Sequence, residues 1–395
     1  MKSQTKERRR LALVLSGGGA RGAYQAGVVK ALAELCQAAE GGASSSFRII
    51  TGVSAGAINA AFLAANIEDF HATSCRLATF WEDIRLEDVF RTDLPSLSSI
   101  GWKWMSDVIG GGALNINRAQ SLLDTSPLIE FLRKNIDFKK IEQNIQGGLL
   151  DALAVSATDY GTAENVTFVA AGSPFKPWHR ARRISEKTMI SLEHVCGSAA
   201  IPLFFSPVLV GDRYFGDGCL RNMAPLSPAI HLEADAIIVV GVQHAPHSPT
   251  DQVEPHLDRP PSIARILSVL LNSVMMDGTA SDIERLKRIN RTLSLIPEDK
   301  REEHTLRRID CFEISPSQRL SDIAFQEFSR LPRAVRYLLR GLGSEDDTGD
   351  LVSYLLFDPN YCRRLVALGY KDGQQQKEQV LAFLRGAESE SGEIP

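Results

Sequence analysis

A chain of 395 residues that is 44% hydrophobic can bury a large core, and its length allows one big α/β domain or two or three smaller ones. A formal net charge of -4 supplies no global field for nucleic acid, so any membrane or anion contact must come from a local patch. Six scattered cysteines, Cys36, Cys75, Cys196, Cys219, Cys311 and Cys362, form no C-x-x-C pair or other metal-ligand spacing, which predicts free thiols, a reducing compartment and no metal site.

The basic segment Met1 to Arg10 precedes Leu11 to Leu15, a charged-then-apolar start that superficially resembles a signal peptide. Five apolar residues running into Gly17-Gly18-Gly19 are too few, so this is a first buried strand, Leu11 to Ser16. No uninterrupted run reaches the roughly eighteen apolar residues of a membrane span. The expectation is therefore a cytoplasmic protein, at most peripheral on a membrane.

Gly17-Gly18-Gly19-Ala20-Arg21-Gly22 opens a helix, Ala23 to Ala39, with Val28, Leu32 and Leu35 on one face. Phe47 to Thr51 closes a βαβ unit. The loop also satisfies G-x-G-x-x-G, so a dinucleotide fold is a rival; it wants an acidic residue ending the second strand, where this chain has Thr51-Gly52-Val53-Ser54. A phosphate-binding P-loop fails because no Gly-Lys-Ser/Thr follows.

Ile49 to Ala60 runs from a β-branched segment through Gly52-Val53-Ser54-Ala55-Gly56 into an Ala-rich helix, the pattern of a nucleophile elbow. Ser54 would stand at the apex, with Gly52 and Gly56 allowing close strand–helix packing. Adjacent parallel strands end on one edge, so the amides of Gly17, Gly18 and Gly19 should lie beside Ser54, as an oxyanion hole requires. Arg21 either adds charge there or fixes the loop.

Helices are predicted over Ala55 to Ala65 and Phe70 to Trp81, then an irregular stretch, Val89 to Leu114, whose Trp102, Trp104 and Met105 form a lid or cap the core. Ser126-Pro127 starts a helix, Leu128 to Asn135. Strands Ala152 to Ala157 and Val166 to Ala170 flank a polar turn. A short helix, Ser191 to Gly197, precedes strands Phe204 to Val210 and Arg213 to Phe215, then Gly216-Asp217-Gly218-Cys219. Ala236 to Val242 reads as a buried parallel strand and His244 to Pro261 as a loop. Helices follow at Ser262 to Met276 and Ala280 to Ile289, a strand at Cys311 to Ile314, and mostly helix thereafter.

The glycine loop, the Gly52 to Gly56 elbow and Asp217-Gly218, in that order, resemble the patatin-like phospholipases, acyl-lipid hydrolases with a Ser-Asp dyad. Ser198 to Val208, with its Ala-Ala-Ile-Pro core, resembles the family's segment before the aspartate. The resemblance implies a three-layer α/β/α domain with a mostly parallel sheet over residues 11–245, followed by a helical extension over 246–387 and a flexible tail over 388–395. It makes Ser54 the nucleophile, Asp217 its base, and Gly17, Gly18, Gly19 and Arg21 the oxyanion site, with an acyl lipid as substrate and neither cofactor nor metal. Cys219 stands where the family usually has Gly or Ala. Leu368-Gly369-Tyr370 is reminiscent of bacterial members' C-terminal extensions.

Two other readings stay open. His244, after the Ala236 to Val242 strand, could complete a Ser-His-Asp triad of an esterase or thioesterase, whereas His179, His194 and His231 read as surface or packing residues. A non-catalytic membrane adaptor finds its support in a basic amphipathic helix, where Leu331, Val335, Leu338 and Leu342 alternate with Arg330, Arg333, Arg336 and Arg340. The same pattern also suits a helix packing its leucines inward with solvated arginines.

Overall fold

Alternation along the first strand sets the layering. β1 (Leu11–Leu15) sends Leu11, Leu13 and Leu15 into one apolar cluster and Ala12 and Val14 into another, so it is covered on both faces. The computed structural model describes residues 9–40, 46–91, 121–244, 260–297, 306–331, 333–342 and 345–386. The expected lid beyond residue 91, most of the basic N-terminal segment and the tail lie outside them.

From β1 the chain passes through α1 (Gly22–Glu40) to β2 (Phe47–Val53), then α2 (Ala55–Ala65), α3 (Phe70–Asp83) and the single turn α4 (Leu86–Val89). Helices α5 (Ser126–Asn135) and α6 (Phe138–Gln146) lead to the hairpin of β3 (Ala152–Asp159) and β4 (Asn165–Ala171), then β5 (His179–Arg180) and β6 (Arg183–Lys187). Next come α7 (Leu192–Ser198), the hairpin β7 (Val208–Val210) and β8 (Arg213–Asp217), α8 (Ser227–His231) and β9 (Ala236–Val240). The remainder is α9 (Ile263–Ser294), β10 (Asp310–Ile314), α10 (Leu320–Gln326), α11 (Arg333–Leu342), α12 (Glu345–Leu355), α13 (Pro359–Gln375) and α14 (Lys377–Leu384).

The strands form one sheet in the order β10-β9-β1-β2-β3-β4-β6-β5. The first five run parallel; β4 is antiparallel to β3, and β5 to β6, so the sheet is mixed beyond β3. Helices cover both faces, giving the three-layer α/β/α architecture. Chain order runs outward from β1 in both directions, through β2 and β3 on one side and β9 and β10 on the other. Such a switch point opens a crevice beyond the carboxyl ends of the central strands, which is where ligands bind in sheets of this kind.

Several elements differ from the sequence pattern. The two helices expected over 262–289 are one, α9, because Gly278 does not break it: a Cβ there would press on the Asn222 carbonyl, so glycine serves close packing. Helix α6 adds to the expected elements, its Phe138, Ile141 and Ile145 at helical spacing, and the polar strand β6 buries only Ser185 fully. Strand β7 begins four residues later than expected, after Ile201 to Phe205 has closed a turn through the Phe205 N–H to Ile201 carbonyl bond. The basic helix starts at Arg333, and Arg330 lies in the preceding 3-10 turn, paired with Glu327 at 2.5 Å.

The C-terminal elements are built into the same body. β10 is the sheet's edge strand, and α13 packs along α1, where a Cβ at Gly27 would collide with the Val366 carbonyl and one at Gly369 with the Tyr24 carbonyl. Buried Asp372 locks the contact by accepting from Tyr24 Oη at 3.1 Å and Ser317 Oγ at 2.6 Å.

Candidate active site

β2 ends at Val53 and α2 starts at Ala55, so Ser54 alone turns the chain, with φ 55° and ψ -128°. Holding a non-glycine residue there costs on the order of 1–3 kcal/mol. The flanking glycines make the turn possible, because a Cβ on Gly52 would strike the Gly56 carbonyl and one on Gly56 the Leu15 carbonyl of β1. The apex is clamped from below: Ser54 N–H donates to Ser198 Oγ at 2.9 Å, and Ser198 Oγ donates to the Ser156 carbonyl at 2.6 Å.

Asp217 arrives from the opposite direction. β8 pairs antiparallel with the carboxyl end of β3, Asp217 opposite Ala157, which brings residue 217 to the edge where β2 releases residue 54. Ser54 Oγ donates to Asp217 Oδ2 at 2.6 Å, and Cys219 N–H donates to Oδ1 at 2.9 Å. The aspartate backbone is held by its N–H on the Ala200 carbonyl (2.9 Å) and by Thr158 Oγ1 on its own carbonyl (2.8 Å).

The Asp217 side chain is completely buried. That burial pushes its carboxyl up to about 6, against hydrogen bonds from Ser54, the Cys219 N–H and the Cys219 thiol, which pull it down. A carboxylate so desolvated is a far stronger base than a free one. Cys219 bridges two parts of the site, its thiol donating to Asp217 and its sulfur accepting from the Gly17 N–H. Burial, followed by the neighbouring carboxylate, raises the thiol well above its ordinary range and keeps it protonated.

The glycine loop lies where the parallel register requires. A Cβ on Gly17 would run into Cys219 Sγ and touch Ser54 Cβ, and Gly19 lines the same cavity as Ser54. Arg21 is turned to other work: Nε donates to Ser353 Oγ at 2.8 Å, Nη2 pairs with Asp350 at 3.2 Å, and the guanidinium lies 4.2 Å from the Tyr354 ring centre. Of its two expected roles, this geometry supports fixing the loop.

Beside Ser54 opens an apolar cavity of about 370 Å³ including its mouth, lined by Ile58, Phe80, Trp81, Leu128, Phe205 and Phe357 among others. One polar chain braces its wall: Trp81 Nε1 donates to Asn59 Oδ1 (2.7 Å), Asn59 to Gln25 Oε1 (3.0 Å), and Gln25 to the Ser16 carbonyl (2.8 Å). The elbow helix and the glycine loop are thereby tied together.

His244 does not stand between serine and aspartate, which touch directly; its Nδ1 lies 2.9 Å from the Pro316 carbonyl. His194 caps α7 through Ser191 and packs on Phe168, and His231 stacks on Trp178. Among the described residues, no three His, Cys, Asp or Glu side chains converge as a metal site. Arg333 is exposed and Arg336 half-buried, whereas the side chain of Arg340 lies outside the described residues.

Strand, strained serine turn and helix, with a buried carboxylate on the serine oxygen and a glycine loop at the neighbouring strand end, define a hydrolase of the nucleophile-elbow class. The family model for patatin-like phospholipases matches residues 13–230, more than half of the chain. The chain belongs to the patatin-like phospholipase family, whose members are lipid acyl hydrolases.

Among solved structures, VipD from Legionella pneumophila is similar over 94% of this chain and 67% of its own, at 13% identity and a TM-score of 0.37. Human GIVD cytosolic phospholipase A2 is similar over 96% of this chain at 14% identity and a TM-score of 0.43; this chain spans 60% of it. ExoU in its complex with SpcU from Pseudomonas aeruginosa gives 15% identity, 96% and 78% coverage, and a TM-score of 0.29. No curated protein matches the sequence closely enough to count as a relative.

Three supporting residues escaped the sequence reading: Ser198, Thr158 and Asn59. Each is a small polar residue in an apolar stretch, buried to 0%, 4% and 0% exposure, and only the partner across the fold gives it meaning.

Proposed function

We propose that the protein cleaves carboxylic esters of phospholipids or related acyl lipids through an acyl intermediate on Ser54, with Asp217 as the sole base. The observation that carries this reading is the 2.6 Å bond from Ser54 Oγ to a desolvated carboxylate, beside a pocket whose walls are apolar. Ser54 Oγ attacks the ester carbonyl while its proton passes to Asp217 Oδ2. Amides of the Gly17 to Gly19 loop stabilise the tetrahedral oxyanion. Collapse returns the proton from Asp217 to the leaving alcohol, and water activated by Asp217 then releases the fatty acid.

A Ser-His-Asp mechanism has less support, because His244 is engaged with Pro316 and the serine meets the carboxylate unmediated. A non-catalytic adaptor would have no reason to retain a strained serine facing a buried carboxylate, both of which cost stability.

The test pairs a covalent fluorophosphonate probe with a panel of defined phospholipids, lysophospholipids, triglycerides and thioesters whose products are resolved by mass spectrometry. Labelling confined to Ser54 and release of free fatty acid are the expected results. A protein that neither labels nor releases fatty acid from any member of the panel would overturn the reading.

A further inference from the structure

The amino-terminal half of α9 is apolar on two opposite faces. At about 100° per residue, Ala264, Ser268, Leu271 and Met275 form the face turned to the domain. Ile263, Ile266, Val269 and Leu270 form the opposite face, and they are 60%, 48%, 54% and 56% exposed. Between Ile263 and Ser281 only Arg265 and Asp277 carry charge, whereas six residues do between Asp282 and Arg291. An outer face that met only water would be polar along its whole length, as it is in the second half of this helix.

We propose that this stripe, together with the basic α11 beside it, is the surface by which the protein seats on an anionic lipid bilayer, with α9 lying in the boundary between headgroups and acyl chains. The proposal rests on the hydrolase reading for the choice of a lipid occupant. The charge of α11 agrees with it. α11 packs against α9 and exposes Arg333 and Tyr337, with half-buried Arg336 on the same helix. Guanidinium groups attract anionic headgroups, and tyrosine suits the interface with its apolar body and polar tip. Because the whole chain is net negative, a basic edge also selects which side approaches the membrane.

By length and composition α9 could cross a membrane, but its inner face is committed to the domain. Ala264, Ser268 and Met275 are buried, and Asp282 accepts from the Leu226 N–H at 3.0 Å, so withdrawing the helix would unpack the protein. Lying on the bilayer leaves those contacts intact. The helix also adjoins the site on two sides. Asn272 accepts from Tyr354 Oη at 2.7 Å, and the Tyr354 carbonyl abuts Gly19 of the substrate cavity. Val274 and Met275 line a second, shallow cleft together with Gly17 and Cys219. A bilayer touching the stripe is thus one helix away from the nucleophile.

The experiment uses the full chain and sedimentable vesicles of phosphatidylcholine with and without phosphatidylglycerol, alongside a soluble short-chain nitrophenyl ester. The double variant Ile266→Asp/Leu270→Asp should lose vesicle binding by about tenfold or more while keeping the soluble-ester rate. Arg333→Gln should weaken binding only to the anionic vesicles. Unchanged vesicle binding by the double variant overturns the proposal. So does a shift from dimer to monomer in sedimentation velocity without loss of vesicle binding, which would make the stripe a contact between copies. Vesicle binding that depends on the stripe in a protein hydrolysing neither substrate would uphold the docking surface and refute the hydrolase reading. Soluble-ester hydrolysis with stripe-independent binding would do the reverse.

Discussion

From β1 to β9, polar side chains near the nucleophile are small, buried and paired: Ser198 with Ser54, Thr158 with Asp217, and Gln25 with Asn59. Among the described residues, the chain after β9 lends Phe357 to the cavity wall but no polar group to Ser54, yet it grips the loop that frames the serine. Arg21 reaches across to Asp350 and Ser353 of α12, Tyr354 abuts Gly19, and α13 lies backbone against backbone on α1. Chemistry and its mechanical support are thus divided between two stretches of chain, and neither stretch makes the site alone. A loop of glycines has little stiffness of its own, so the bracing has to come from a packed neighbour.

The sharpest way to break this division is at the serine. Ser54→Ala should lower ester turnover by at least about 10³-fold with the circular dichroism spectrum unchanged. Substantial hydrolysis surviving in that variant would remove the catalytic half from the comparison.

Asp217→Asn should cost nearly as much activity while changing stability in a pH-dependent way. The folded carboxyl is pushed up to about 6 from its ordinary 3.8, so the native state holds its proton more tightly and loses stability as pH rises between those values, by about 3 kcal/mol. The neutral amide avoids that loss. The variant should therefore melt higher than the parent at pH 8, with the advantage fading toward pH 4, as calorimetry would read.

Gly369→Ala probes the support instead. A methyl group has no room against the Tyr24 carbonyl, and the overpacking should cost about 1–3 kcal/mol in denaturant unfolding. If the two stretches form one body, chain-wide unfolding and loss of soluble-ester activity move together. Activity persisting through a separate C-terminal transition would split them.

The smallest effect belongs to Cys219. In the proposed mechanism Asp217 acts ionised, so the rate should fall as pH drops through about 6. Cys219→Ala removes the thiol's hydrogen bond, which lowers that value, so the acid limb of the pH–rate profile should move upward with little change in the plateau. An unmoved limb would reduce Cys219 to a space-filler.

How much of this was legible beforehand follows from the range of the forces involved. Gly52-Val53-Ser54-Ala55-Gly56 announces a strained turn because the constraint on Gly52 is local, imposed by the Gly56 carbonyl, although Gly56 itself answers to the Leu15 carbonyl of β1. The apolar strands and the longer amphipathic helices are legible for the same reason, as periodicity is a local property. Arg21 shows the limit. Its place in the glycine loop left two roles open, and the choice was made by Asp350, more than three hundred residues away.

Residue order alone therefore pointed to the α/β class and the elbow, written in short-range constraints on backbone and pattern, whereas the pairing of 54 with 217 came only from the resemblance of three glycine-bearing segments to a known family. Only the tertiary structure decided the 2.6 Å approach across that pair, the desolvation that raises the Asp217 carboxyl, and the use of the C-terminal helices as a brace. It alone also showed that α9 turns an apolar face outward. Those are properties of what lies opposite a residue after folding, and sequence neighbours carry no record of it.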